Sequence, residues 1–407
     1  MERQRALAKE EIESSLRLST FCMRRIGFSF DRSKSVKSNL WQTFLFTASI
    51  LSICYHVLSE IIFIILSIAK SPNVEDIVPL FHTTGYGVLS IAKVFALWYK
   101  KTVFRRLLNE LEVIWPVIPN HNAAKTIKEQ SLNALYIVHS WYFAMNICGV
   151  WFYNLTPLGV YFYKKFVGIN APLGTIWSSW YPFDKEQSLA HAMVYCFEIF
   201  AGQTCVWIMV CTDLLFSGMA SHLVLLLQIL GRELESFAAI EKFETAHYQD
   251  LLSIIKLHQR LIRYCKDLGE AFSFVNLVNI SLSSVNICCV VFTIVLLEPF
   301  VSMSNKLFLG SALIQVGMLC WYGESIIQAN ASIAIAAYNS KWYKVSPRCR
   351  RCILFVIRRA QKPNAFTAMN FTNISLVTYT SIMTRSYSYF ALLYTIYNKN
   401  YFGKKWL

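Results

Sequence analysis

Seven apolar stretches, each long enough to cross a bilayer as a helix, divide this chain, since about 20 helical residues suffice. They cover residues 40–69, 77–99, 132–153, 189 onward, 271–297, 307–337 and 371–397. Polar or proline-bearing breaks stand between several of them: Ser71-Pro72-Asn73, Trp115-Pro116 with Ile118-Pro119, Glu298-Pro299, and Lys362-Pro363-Asn364. The fourth stretch has no strong breaker at its end, and its periodicity runs on through residues 214–237. Residues 248–266 repeat helical spacing with Leu251, Ile254, Ile255, Leu257, Leu261 and Ile262, and lead directly into the fifth. Several helices are therefore longer than a membrane requires, and their ends should gather into a helical bundle outside it. Near the N-terminus, Ile12, Leu16, Leu18, Phe21 and Met23 form the apolar part of an amphipathic segment suited to a membrane surface. Residues 154–188 carry three prolines, three glycines and the aromatics Trp177, Trp180 and Tyr181, which reads as an ordered, non-helical lid.

The pattern predicts an all-α polytopic membrane protein. Its parts are an N-terminal segment (1–39), spans one to four (40–212), anchor helices (213–270), spans five and six (271–337), a further anchor helix (338–364), and a last span with a short tail (365–407). Composition agrees: 55% of the 407 residues are hydrophobic and the mean hydropathy is +0.40. The formal net charge of +15 serves orientation in such a chain, and no zinc-finger spacing or Gly-rich phosphate loop points to nucleic acid or nucleotide. Segments on one side of the spans hold 29 of the Lys and Arg residues, and those on the other hold 8. The positive-inside rule then puts the N-terminus in the cytosol and the C-terminus outside. The N-terminal segment lacks the apolar core of a signal peptide, so the first span is expected to act as an uncleaved anchor. Asn154-Leu155-Thr156 is a glycosylation sequon at the expected outer end of the third span. A cytosolic N-terminus is the reverse of a G-protein-coupled receptor, whose acid-Arg-aromatic and Asn-Pro-x-x-Tyr motifs are also absent.

Candidate chemistry is sparse. None of the 12 cysteines falls in an outer loop, so no disulfide framework is expected, and Cys349-Arg350-Arg351-Cys352 has no second pair with which to hold zinc. The 8 histidines form no HxxHH or HExxH cluster, and no nucleophile–base pair stands out; neither an enzyme nor a cofactor is expected. His56 and His139 read as isolated buried or boundary residues. Glu198 and Gln203 sit where a wet cavity would be needed, whereas Glu60, Asp213 and Glu298 read as interfacial. In the last span one helical face carries Ser381, Arg385, Ser388, Leu392 and Thr395. Such a stripe either borders water or protein, or its hydroxyls bond back to their own helix.

Seven spans, this orientation and several local strings together resemble the insect odorant receptor family. The strings are Tyr338-Asn339-Ser340-Lys341-Trp342-Tyr343, Arg358-Arg359-Ala360-Gln361-Lys362-Pro363, Ser386-Tyr387-Ser388-Tyr389-Phe390, and Trp180-Tyr181-Pro182-Phe183-Asp184. The resemblance covers the whole chain in layout and is most specific in the C-terminal third. It implies a ligand-gated, non-selective cation channel of four subunits in the plasma membrane of olfactory sensory neurons, surrounded by lipid. In it a tuning subunit binds a small, volatile, apolar ligand and assembles with a shared co-receptor. The short connection between the fourth and fifth spans is similar to a tuning subunit's. A gustatory receptor of the same superfamily is the nearer rival, but the Gln expected in its last span is missing. By the same resemblance the pore face is Ser381, Arg385, Ser388, Leu392 and Thr395, narrowest at Leu392 with Thr395 one turn beyond. The odour pocket lies in the outer halves of the second, third, fourth and sixth spans. Its candidate residues are Phe81, His82, Gly85 and Tyr86; Met145, Asn146, Gly149, Val150 and Tyr153; and Met193, Phe197 and Phe200.

Overall fold

The computed structural model describes residues 2–30, 36–70, 74–117, 122–169, 172–185, 187–238, 243–296, 302–362 and 364–403. The breaks at Ser71-Pro72-Asn73, Ile118-Pro119, Glu298-Pro299 and Pro363 lie outside the described residues. In chain order the helices are α1 (Glu2–Ser15), α2 (Arg17–Arg25), α3 (Val36–Lys70), α4 (Val74–Tyr99), α5 (Lys101–Ile114), α6 (Asn122–Phe166), α7 (Ser188–Ser236), α8 (Glu244–Leu296), α9 (Met303–Asn339), α10 (Pro347–Ala360) and α11 (Leu376–Gly403). By length and composition α3, α4, α7, α8 and α9 can each cross a membrane. The 45-residue α6 and the 28-residue α11 are long enough as well and carry more polar positions. Together these seven make a polytopic all-α membrane protein.

Two helices far exceed a bilayer. With 49 and 53 residues, α7 and α8 span roughly 70–80 Å at about 1.5 Å per residue, against a hydrocarbon core of about 30 Å. Their surplus length is used in a dense apolar cluster. Leu214, Leu223 and Leu230 of α7, Leu251, Leu261 and Leu268 of α8, and Cys349, Ile353 and Val356 of α10 all belong to it, with α10 packed mainly against α9. Every one of these side chains is buried, so the overrun is a packed helical layer and not a frayed end.

The N-terminal segment joins this layer. Ile12, Leu16, Met23 and Ile26 are buried against it. Ser19 Oγ donates to the Cys211 carbonyl at 2.8 Å, and Ser15 Oγ lies 2.8 Å from His222 Nε2. The amphipathic face expected at the membrane surface is thus turned onto α7. The reason is that Leu16 packs against Gly218 of α7 and Ser15 and Ser19 find polar partners there, while Phe21, partly exposed, meets Trp207 of α7 edge-on at 5.8 Å.

A second correction concerns the lid. Helix α6 does not stop at Tyr153 but continues through Pro157 to Phe166. A proline removes only one N–H from the ladder, and a helix in lipid has every reason to keep the rest. The real stop is Gly168, at φ +81°, with the Ile169 N–H closing on the Lys164 carbonyl at 2.9 Å. That is the left-handed glycine cap, preceded by two lysines in the last turn. The connecting lid is correspondingly shorter than 154–188.

A third difference precedes the last helix. Residues 371–375, expected in the seventh span, belong to a two-strand hairpin, β1 (Thr367–Ala368) and β2 (Thr372–Asn373), and the loop that follows it. Met369 and Asn370 turn it in the left-handed region, at φ 47° and 63°. Phe366, Ala368 and Ile374 are fully buried, Ile374 lying against Gly323 of α9. The hairpin therefore pins the start of α11 to its neighbours. All 12 cysteines are free thiols, and among the described residues no group of His, Cys, Asp and Glu is placed to hold a metal ion.

Candidate functional site

At the end of the bundle away from the basic segments, α4, α6, α7 and α9 enclose a cavity of about 740 Å³ of atom-free space, its mouth included. Each wall is one helical face, with residues three and four apart. On α4 it is His82, Thr83, Tyr86 and Gly87; on α6 Met145, Asn146, Gly149, Val150 and Tyr153; on α7 Gly202, Cys205, Val206 and Met209; on α9 Ser304, Leu307, Phe308 and Ser311. His56 of α3 and Trp177 of the lid complete it.

The cavity brings together His82, Tyr86, Met145, Asn146, Gly149, Val150 and Tyr153 of the expected residues. It does not include Phe81, Gly85, Met193, Phe197 or Phe200. Phe81, Met193 and Phe200 are exposed on the outside of the bundle. Phe200 stands two residues from Gly202, hence on another face of the same helix. Phe197 packs edge-on against Tyr55, with ring centroids 5.6 Å apart. Gly85 is where α4 meets α8, and a Cβ there would collide with Asn286. The fourth and sixth spans, α7 and α9, were expected as walls, but the residues that form them escaped the sequence reading, although both sets carry the spacing i, i+3, i+4, i+7 that marks a face.

Trp177 roofs the cavity. Its ring stacks on Tyr153, 4.5 Å between centroids and 16° off parallel, and meets His56 edge-on at 5.4 Å. Glu198 latches it. The Ile176 N–H donates to Glu198 Oε2 at 2.8 Å and the Trp177 N–H donates to the same oxygen at 3.3 Å. Tyr181 O–H donates to Oε1 at 3.0 Å, and the Trp177 indole donates to the Glu198 carbonyl at 3.3 Å. Burial first, and the adjoining Glu198 carboxylate second, push the Tyr181 phenol well above its ordinary range, which keeps it a donor. Ser59 of α3 bonds the Trp180 carbonyl and receives the Trp180 N–H. Glu198 is thus fully buried and bound to the lid, and is not the wall of a wet cavity. Gly202 permits the close fit, because a Cβ there would lie 2.9 Å from the Trp177 ring.

Beneath the cavity runs a buried polar network. Ser311 Oγ donates to Asn146 Oδ1 at 2.8 Å, and Asn146 Nδ2 donates to the Tyr142 carbonyl at 2.8 Å. Tyr142 O–H donates to Asp213 Oδ2 at 2.8 Å, and Lys93 Nζ donates to both Asp213 oxygens at 2.6 and 2.8 Å. Gln315 Nε2 reaches Asp213 Oδ2 at 3.1 Å and Asn279 Oδ1 at 3.3 Å. Five helices, α4, α6, α7, α8 and α9, share this network. Asp213 is consequently a buried ion-pair partner, not an interfacial residue. Glu60 is also buried, 3.6 Å from His56 Nε2, and Glu298 lies outside the described residues.

Two further expected sites have defined surroundings. Asn154 is fully buried within α6, and Tyr195 O–H donates to its carbonyl at 2.5 Å. A glycan needs an accessible side chain, so the sequon is set aside. On α11, Arg385, Ser388, Leu392 and Thr395 are exposed on the outer surface of the chain and Ser381 is half-buried. The hydroxyls of Ser381, Ser388 and Thr395 all donate to carbonyls four residues back, at 3.0, 3.0 and 2.8 Å. Bonding back satisfies the hydroxyls but leaves the Arg385 head to be accommodated elsewhere.

A seven-span helical membrane protein with a roofed, largely apolar cavity is the class these features define. The sequence profile of the family "7tm Odorant receptor" matches residues 73–387, and the chain belongs to that family, one of membrane receptors and not of enzymes. It is 28% identical over 374 residues to Odorant receptor 85c of Drosophila melanogaster, covering 90% of this chain and 94% of that one. To Odorant receptor 85b of the same organism it is 25% identical, covering 87% and 91%. In fold it matches the insect olfactory receptor from Machilis hrabei solved in complex with eugenol. The TM-score is 0.81 at 18% identity, over 95% of this chain and 97% of that one.

Proposed function

We propose that this chain is the odour-binding, tuning subunit of a ligand-gated, non-selective cation channel, a tetramer formed with a shared co-receptor in the plasma membrane of olfactory neurons. The observation that carries the reading is the cavity under Trp177, walled by single faces of four spans in a chain of the odorant receptor family. A receptor of the same fold was solved in complex with eugenol. A ligand burying about 200–300 Å² of apolar area gains roughly 5–7 kcal/mol, equivalent to a Kd from about 0.2 mM down to 10 μM. Binding is therefore weak and broad unless polar groups add to it.

In this reading α11 lines the conduit. Its face with Ser381, Arg385, Ser388, Leu392 and Thr395 meets copies of itself around a central axis, because a polar stripe turned to acyl chains is unfavourable. Leu392 forms an apolar constriction that excludes ions by dewetting. Opening follows when the ligand binds the open state better than the closed one, a tenfold preference corresponding to about 1.4 kcal/mol. The test is an odour panel on cells expressing the chain with and without an insect odorant co-receptor. Leu392→Ala should raise resting current and Thr395→Lys should cut cation current several-fold. Odour-evoked current indifferent to both changes would remove α11 from the pore.

A further inference from the structure

The cavity wall is apolar in bulk, yet it contains polar atoms that the protein leaves without partners. Both ring nitrogens of His82, the hydroxyl of Tyr86 and Nδ1 of His56 are buried and have no hydrogen-bond partner in the protein. His82 is 2% exposed. The Pro79 carbonyl, one turn back on α4, lies near the His82 ring and can engage one nitrogen at most. Buried polar groups are normally satisfied, so a cluster of exceptions around one cavity calls for a partner from outside the chain. Other polar residues of the cavity do not share this state: Ser311 and Asn146 are already bonded to each other.

Geometry singles out two of the three. His82 and Tyr86 are one helical turn apart on α4, with Cβ atoms about 5–6 Å apart by helix geometry. The same ring holds both: Phe308 of α9 meets His82 at 5.3 Å and Tyr86 at 4.1 Å between centroids. Their polar heads are therefore fixed by packing and not free to swing away. His56 stands against Trp177, with its other nitrogen toward Glu60.

We infer that His82 and Tyr86 form a polar anchor for the cavity's ligand, and that this ligand is a small, mostly apolar molecule bearing one oxygen function, a carbonyl or a hydroxyl. The inference rests on the receptor reading above and specifies its ligand class. Tyr86 O–H donates to the oxygen. His82 donates to a carbonyl, or accepts from a hydroxyl, according to its tautomer. The remaining wall contacts Met145, Val150 and Leu307 cover the hydrocarbon part. A hydrocarbon of the same skeleton leaves both groups unsatisfied, and sites of this kind discriminate strongly against the analogue that lacks the polar atom.

The test uses purified full-length protein and sets of probes that share a carbon skeleton. One set is ethylbenzene, α-methylbenzyl alcohol and acetophenone; a linear and a monocyclic set are built likewise. Binding is read as the ligand-dependent rise in melting temperature, and as evoked current in cells that also express the co-receptor. The oxygenated members should bind about tenfold or more tightly than their hydrocarbon. Tyr86→Phe should weaken the oxygenated members about tenfold and leave the hydrocarbon unchanged. His82→Leu should do the same, and the comparison within wild-type protein holds even if a variant folds poorly. Equal affinity for hydrocarbon and oxygenated members, or an equal shift for all on Tyr86→Phe, would overturn the anchor while leaving the receptor reading intact. Failure of every member of every set to bind would instead overturn the receptor reading, and the anchor with it.

Discussion

Asp213 and Lys93 allow the sharpest test of how the spans are held together. Lys93 is fully buried on α4 and its ammonium bonds, among the described residues, to Asp213 alone. Asp213 has more support: Lys93, Tyr142 and Gln315 all donate to it. The two single changes should therefore differ. Lys93→Met leaves a buried carboxylate that keeps two neutral donors, a loss near the lower end of the roughly 3–5 kcal/mol range for breaking a buried pair. Asp213→Leu strands the ammonium and also removes the acceptor of Tyr142, which adds about 1–3 kcal/mol. Gln315 is less affected because Asn279 still accepts from it. The double change Lys93→Met/Asp213→Leu removes both charges. It should be milder than Asp213→Leu alone, with a coupling energy toward the upper end of the roughly 0.5–3 kcal/mol found for residues in one network. The assay is the melting temperature of detergent-solubilised full-length protein, followed by fluorescence-detected size exclusion. The expected order of loss is Asp213→Leu largest, then Lys93→Met, with the double change well short of their sum. Strict additivity, or a Lys93→Met protein as stable as the parent, would refute the reasoning.

The lid yields two further expectations. Glu198→Ala should free the Trp177–Tyr181 strap and speed ligand release several-fold in washout recordings, whereas Glu198→Gln, which keeps one acceptor oxygen, should have a smaller effect; equal rates in all three would show that Glu198 does not hold the lid. Gly202→Leu should push Trp177 off Tyr153 and weaken binding of every ligand about tenfold, because the wild-type fit leaves only 2.9 Å for a Cβ; unchanged affinity would place the indole elsewhere. Asn154, fully buried in α6, should carry no glycan. Glycosidase treatment should therefore leave gel mobility the same for wild type and Asn154→Gln, and a shift confined to wild type would contradict the buried position.

Much of the fold was legible because lipid enforces a simple rule. Backbone groups must be satisfied within each span, so apolar length alone marks helices. The same pattern shows α7 and α8 overrunning the membrane, since nothing polar enough to stop them appears between residues 189 and 237. The cavity was half-legible for a related reason. On α6, Met145 to Tyr153 place aromatic and small residues on one face, and the structure uses that face. On α7 the aromatic Met193–Phe200 stretch drew the eye outward, while the wall is built from Gly202, Cys205, Val206 and Met209, whose virtue is that they leave room. The end of α6 was misread because Pro157 outranked Gly168, although a glycine after two lysines is the stronger stop.

What the sequence determined by itself, then, is the number of spans, their excess length, the asymmetry of charge and the family strings of the last third. These follow from local composition, which each segment carries whether or not the others are present. What the tertiary structure decided is which stripe meets which: that the N-terminal helices lie on α7, that Glu198 serves the lid, and that Lys93 finds its counter-ion 120 residues away. A buried charge states only that it needs a partner, and an apolar face only that it needs cover. Which of many chemically equivalent partners satisfies it depends on the simultaneous packing of all seven spans, and no single stretch of chain contains that information.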